Sequence, residues 1–151
     1  MSYSVLYQDI GLRDYKEAWE MQEQIFKRLI DYKLNQFQGS SRVENPVPGT
    51  LIFVEHPHVY TLGKSGQENN LLLDHIQLQS KGASFYRIDR GGDITYHGPG
   101  QIVGYPIFDL EALKIGLKDY IFQLEEAIIR TVGELGLHSF ASSPATNSDP
   151  D

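Results

Sequence analysis

The sequence predicts a mixed α/β domain of α+β character, and three observations carry that expectation. Two stretches, Asp14 to about Gln36 and Leu117 to Leu135, repeat their apolar residues at three- and four-residue steps, the period of an amphipathic helix. Between them lie short runs rich in β-branched and aromatic residues, broken by Pro and Gly, which read as strands. The order is therefore strand, helix, several strands, helix. At 151 residues, 40% of them hydrophobic, the chain fits one domain large enough to bury a core.

Residues 3 to 7 (Tyr-Ser-Val-Leu-Tyr) read as a first strand. Asp14, with Glu17 three positions on, has the form of a capping box and starts the first helix. Tyr15, Ala18, Trp19, Ile25, Phe26, Leu29 and Tyr32 form its core-packing face. Residues 38 to 49 are a polar, turn-rich loop. Residues 50 to 56 (Thr-Leu-Ile-Phe-Val-Glu-His) read as a buried strand that Pro57 stops, and Val59 to Gly63 as a second extended piece. Residues 64 to 70 form a loop, 71 to 78 either a helical turn or a short strand, and 84 to 89 another strand. In the second helix Ile121, Leu124, Ile128, Val132 and Leu135 share a face, and Gly136 is placed to end it. After Leu137 the composition turns to Ser, Pro, Asn and Asp. That predicts a domain over 1–137 and a disordered tail over 138–151.

Several function classes are excluded early. A net charge of −7 repels nucleic-acid phosphates. With no cysteine in the chain, disulfides, thiolate metal sites and thiol nucleophiles are all ruled out. The N-terminus lacks a basic region followed by an apolar run, and no run approaches the roughly 20 residues of a membrane span, so a cytoplasmic protein is expected.

Five of the 14 glycines fall between Gly91 and Gly104, around Arg90, Asp93, Thr95, Tyr96 and His97. Glycines directly after a strand let the backbone take positive φ and approach a bound group. If 93 to 97 is extended, Asp93, Thr95 and His97 share one face while Ile94 and Tyr96 point the other way. The turn sequence that follows, His-Gly-Pro-Gly-Gln, presents backbone N–H groups near His97. This composition fits one wall of a small-molecule pocket, set against a glycine-rich hairpin that merely meets water. A single Arg-Gly-Gly in an acidic chain does not fit an RNA-binding repeat. The glycines also fail the dinucleotide and phosphate-loop spacings, since no glycine lies five residues before Gly63. Glu55, His56 and His58 could hold a metal through a His-x-His pair, with Asp93 or His97 as further ligands, but Pro57 disturbs the alternation. The alternative is a His56 hydrogen-bonded into the core.

The stretches 55–64 (Glu-His-Pro-His-Val-Tyr-Thr-Leu-Gly-Lys) and 90–110, beginning Arg-Gly-Gly-Asp-Ile-Thr-Tyr-His-Gly-Pro-Gly-Gln, resemble the lipoate–protein ligase B family, the octanoyl-acyl-carrier-protein:protein octanoyltransferases. The resemblance covers about residues 3 to 137, and the second motif is the specific one. It implies a biotin/lipoate ligase-like catalytic domain, a mixed sheet flanked by helices, with its C-terminal part missing here. The implied reaction moves an octanoyl chain from octanoyl-acyl carrier protein to a lysine of lipoyl domains, in 2-oxoacid dehydrogenases and the glycine cleavage H protein, with no cofactor and no metal. The resemblance also implies that Arg90, Gly91, Gly92, Asp93, Ile94, Thr95, Tyr96 and His97 line the acyl pocket, that His97 sits near the reacting centre, and that His56, Tyr60 and Gly63 support the pocket.

Two departures matter. His58 stands where the family usually has a second proline. The family works through a cysteine thioester with a nearby lysine, and neither context is present: Lys64 belongs to the first motif, and Ser142 and Ser143 lie in the polar tail. No catalytic residue is therefore assigned, and an inactive chain with uncovered strand edges is expected. Two alternatives share the fold: a non-catalytic module binding acyl groups or lipoyl domains, and an adenylate-forming lipoate or biotin ligase. Biotin ligases carry a Gly-Arg-Gly-Arg-x-Gly loop and lipoate ligases a triple glycine, where this chain has Gly91-Gly92.

Overall fold

Pro57 lacks a backbone N–H, and around it the chain leaves one sheet and enters another. The structure, a computed structural model, describes residues 4–37, 48–66, 78 and 80–141. Its elements are β1 (Leu6–Leu12), α1 (Tyr15–Phe37), β2 (Gly49–Glu55), β3 (Val59–Leu62), β4 (Ser84–Arg87), β5 (Ile94–His97), β6 (Val103–Phe108) and α2 (Leu117–Glu134). The fold class is the expected mixed α/β, but the strands form two three-stranded sheets, β1-β2-β6 and β4-β3-β5. Each is mixed: β2 is parallel to β1 and antiparallel to β6, and β3 is parallel to β4 and antiparallel to β5. By its internal contacts the chain divides into two compact units, Met1–Phe108 and Asp109–Asp151.

Alternation along β2 builds the core of the first unit. Thr50, Ile52, Val54 and, just past the strand, His56 are all buried, while the residues between them are half-buried. Register pairs Ile52 with Tyr105 on β6, so Tyr105 shares the buried face. Ala18 and Ile25 of α1, seven residues apart and so on one helical line, are also buried. Phe26, expected in that face, is 55% exposed because one residue step turns it about 100° from Ile25.

The first strand runs to Leu12 rather than stopping at residue 7. A bulge between Asp9 and Leu12, where the Gly11 N–H donates to Asp9 Oδ1 at 2.9 Å, lets the pairing with β2 resume at Leu12 opposite Glu55. Strand β6 was not assigned from the sequence. Pro106 obscures it, and Pro106 is tolerated because β6 lies at a sheet edge. The possible helical turn or strand over 71–78 falls outside the described residues apart from a buried Leu78, and residues 142–151 of the proposed tail fall outside them too.

Both helix-end readings hold. Asp14 Oδ1 accepts the Lys16 N–H at 2.8 Å, a side-chain cap, while Glu17 pairs with Arg13 at 3.9 Å. Replacing Asp14 by alanine is expected to cost about 1 kcal/mol, a fall of about 2–4 °C in Tm by calorimetry. At the end of α2, Gly136 (φ +81°) closes a Schellman motif: the Leu137 N–H donates to Val132 O and the Gly136 N–H to Gly133 O. No residue of α2 is buried, and Ile121 and Ile128, expected to pack, are exposed. Among the described residues no helix is long and apolar enough to cross a membrane.

Candidate functional site

The end of β3 grips the glycine-rich bend by its carbonyls. The Ile88 N–H donates to Leu62 O, the Gly63 N–H to Asp93 O at 3.3 Å and the Lys64 N–H to Arg90 O at 2.9 Å. A Cβ on Gly63 would stand 2.7 Å from Arg90 O and closer still to Gly92 O, so only glycine lets the bend close over β3. Of the two adjacent glycines, Gly92 takes the expected positive φ, +83°, and Gly91 does not. The Arg90 side chain folds back across the bend. Its Nη1 donates to Gly91 O at 2.7 Å, and its Nη2 donates to Thr95 Oγ1 at 2.8 Å and Asp93 O at 3.0 Å. These partners are neutral, so the guanidinium is held in place with its charge available to a ligand.

The strands sort the predicted residues onto two faces. Thr61 pairs with Thr95 and with Tyr86, and Val59 with His97, which puts Thr61, Tyr86, Thr95 and His97 on one face beside Arg90. Tyr60 and Tyr96, directly paired, lie on the other. There His58 stacks on Tyr96 with centroids 6.0 Å apart, and its Nδ1 lies 2.5 Å from the Tyr96 hydroxyl. These three residues, with Leu78, Lys81 and Ala83, line a recess of about 270 Å³. Asp93 does not share the face of Thr95 and His97 as alternation implied. Strand β5 begins only at Ile94, and Asp93 sits in the bend, its carboxylate 2.8 Å from where a Gly66 Cβ would stand.

Behind His97 lies a cluster of rings that the sequence did not single out. His56 is wholly buried. Its Nδ1 lies 2.8 Å from Arg13 O, which can only accept, so Nδ1 carries the proton. Nε2 then accepts the Tyr105 hydroxyl at 2.9 Å. Burial lowers the His56 pKa, and His97 acts in the same direction, against the Arg13 carbonyl and Asp14. Burial likewise raises the Tyr105 phenol well above its ordinary value. The Tyr15 ring stands 5.4 Å from His56, 5.5 Å from Tyr86 and 6.3 Å from His97, nearly parallel to the last at 13°. Burial raises the Tyr15 pKa, against the pull of Arg90.

His97 Nδ1 lies 2.9 Å from Gln101 Oε1, an acceptor, which leaves its Nε2 as an open lone pair among the described residues. Tyr15 had been read only as helix face, and Tyr105 lay on the unassigned strand. Nothing in the spacing linked either to His56. The two histidines of the considered metal pair diverge, His56 inward to Tyr105 and His58 to Tyr96. Among the described residues no group of three or more His, Cys, Asp or Glu could hold a metal.

The model of the family described as the lipoyl protein ligase A/B catalytic domain matches residues 14–149. The chain belongs to this family. Within the lipoyl protein ligase A/B family, it is 52% identical over 146 residues to the octanoyltransferase of Flavobacterium johnsoniae, covering 97% of this chain and 62% of the relative. With the octanoyltransferase of Bacteroides fragilis strain YCH46 it shares 51% identity over 129 residues, 85% of this chain and 55% of that one. The chain thus spans about three fifths or less of the length of these relatives. Among solved structures, protein Ta0514 of T. acidophilum with bound lipoic acid superposes with a TM-score of 0.55 at 16% identity, over all of this chain and 55% of that one. That likeness is one of fold.

Proposed function

We propose that this chain carries the acyl-binding face of a cytoplasmic octanoyltransferase, which takes octanoyl from octanoyl-acyl carrier protein and delivers it to a lysine of lipoyl domains, including those of 2-oxoacid dehydrogenases and the glycine cleavage H protein. The observation that carries the reading is the shared face of Arg90, Thr95 and His97, held against β3 by the close approach over Gly63. In this reading the Arg90 guanidinium meets the thioester oxygen as negative charge develops on it. The open Nε2 of His97 accepts a proton from an attacking group. Octanoyltransferase relatives at about half identity support the choice of acyl group. The chain has no cysteine, so the acyl-enzyme implied by the family resemblance has no thiol to form on, and this chain binds without turning over.

The test is titration with octanoyl-acyl carrier protein by calorimetry, followed by mass spectrometry of the chain and of an added lipoyl domain. Saturable binding with no mass gain on either protein is the expected outcome. Absence of binding would overturn the reading, and an octanoylated chain would overturn the lack of turnover.

A further inference from the structure

We infer that Glu55 is a positioning residue that sets the His97 imidazole by clasping the turn which follows it. The Gln101 N–H donates to Gly98 O at 3.1 Å, with Pro99 and Gly100 (φ +85°) between them, which makes Gly98–Gln101 a type II turn. Such a turn leaves the N–H of its third residue unused. Here the Gly100 N–H donates to Glu55 Oε1 at 3.0 Å, from a residue 45 positions away. The acceptor is a carboxylate, which makes this the stronger kind of hydrogen bond. Glu55 ends β2 in the first sheet and His97 ends β5 in the second, so the contact ties the two sheets together at the turn.

The turn also orients the imidazole. Its last residue, Gln101, holds His97 Nδ1 at 2.9 Å, and its first residue follows His97 directly. With Nδ1 protonated toward Gln101, Nε2 is the nitrogen left to face a ligand. Loosening the turn at Gly100 frees Gln101, and both the tautomer and the direction of Nε2 become undetermined. The effect on acyl binding rests on the octanoyl reading above, whereas the effect on the His97 ring does not.

The test compares the full chain with Glu55→Ala and Glu55→Gln, whose amide oxygen still accepts. In imidazole ¹⁵N spectra the unmodified chain and Glu55→Gln are expected to show the Nδ1–H tautomer of His97, and Glu55→Ala a mixture. Gly100 amide exchange is expected to speed up at least about tenfold in Glu55→Ala, with octanoyl-acyl carrier protein binding about tenfold weaker, and Glu55→Gln to remain within about twofold of the unmodified chain. An unchanged tautomer and an unchanged Gly100 exchange rate in Glu55→Ala would overturn the assignment. If Glu55→Ala does not fold, Gly100 exchange in the unmodified chain decides: protection supports the clasp, and exchange at the rate of a free peptide overturns it. If the unmodified chain fails to bind the acyl donor, the octanoyl reading falls while the spectroscopic result still judges Glu55.

Discussion

Replacing Gly63 by alanine is expected to destabilise the chain by about 3 kcal/mol and to abolish binding of an octanoyl donor. The new methyl would meet the carbonyl oxygens of Arg90, Gly91 and Gly92, and these are backbone atoms that cannot rotate away. Relief requires lifting the bend off β3, which breaks the hydrogen bonds from the Gly63 and Lys64 N–H groups and carries Arg90 away from Thr95. Gly91→Ala is the control: it has open space at the same bend and a φ that any residue adopts, so its effect should stay within about 0.5 kcal/mol. Urea unfolding midpoints of the two variants check the pair. Equal midpoints would show that the close approach does not hold the bend.

Replacing His56 by alanine should cost about 3–4 kcal/mol. The change leaves the Tyr105 hydroxyl and the Arg13 carbonyl without their buried partner, and it opens a cavity beneath Tyr15. A pH signature separates this role from simple packing. Burial holds the folded-state pKa of His56 below its ordinary value of 6.5, so below pH 6.5 the unfolded chain binds a proton that the folded chain refuses. Stability contributed by neutral His56 is therefore full above that pH and falls as pH drops from 6.5 toward the folded pKa. Thermal unfolding of the unmodified chain between pH 7 and 5 should show this loss, and His56→Gln should lack it. An identical slope in the variant would mean that other groups carry the acid sensitivity.

Much of the local structure was legible in the residues because its causes are local. Asp14 marks a helix start since its own carboxylate reaches an N–H two residues on. Gly136 marks a helix end since the left-handed conformation there suits glycine. The Gly-Pro-Gly-Gln stretch marks a turn for the same reason. Strand β6 escaped because Pro106 argues against a strand wherever the edge position is unknown, and edge position is a property of the assembled sheet. The expected burial of Phe26 failed because an apolar period gives a stripe without fixing its width.

The site was legible only in part. Alternation correctly put Thr95 and His97 on one face and Tyr96 on the other, because a strand has a period of two whatever it packs against. It could not show that Tyr60 and Tyr96 meet His58 rather than His97, nor that Asp93 lies before the strand.

By itself, then, the amino-acid sequence determined the helix ends, the Gly-Pro-Gly-Gln turn, the family motif and the lack of any thiol nucleophile, all features that reside in a residue and its near neighbours. Only the tertiary structure decided what surrounds His97. The contacts that define it join Arg13 to His56 across 43 positions, His56 to Tyr105 across 49 and Asp14 to Tyr86 across 72. Pairings of that reach depend on which strands become neighbours and in what register, and no short-range pattern encodes them.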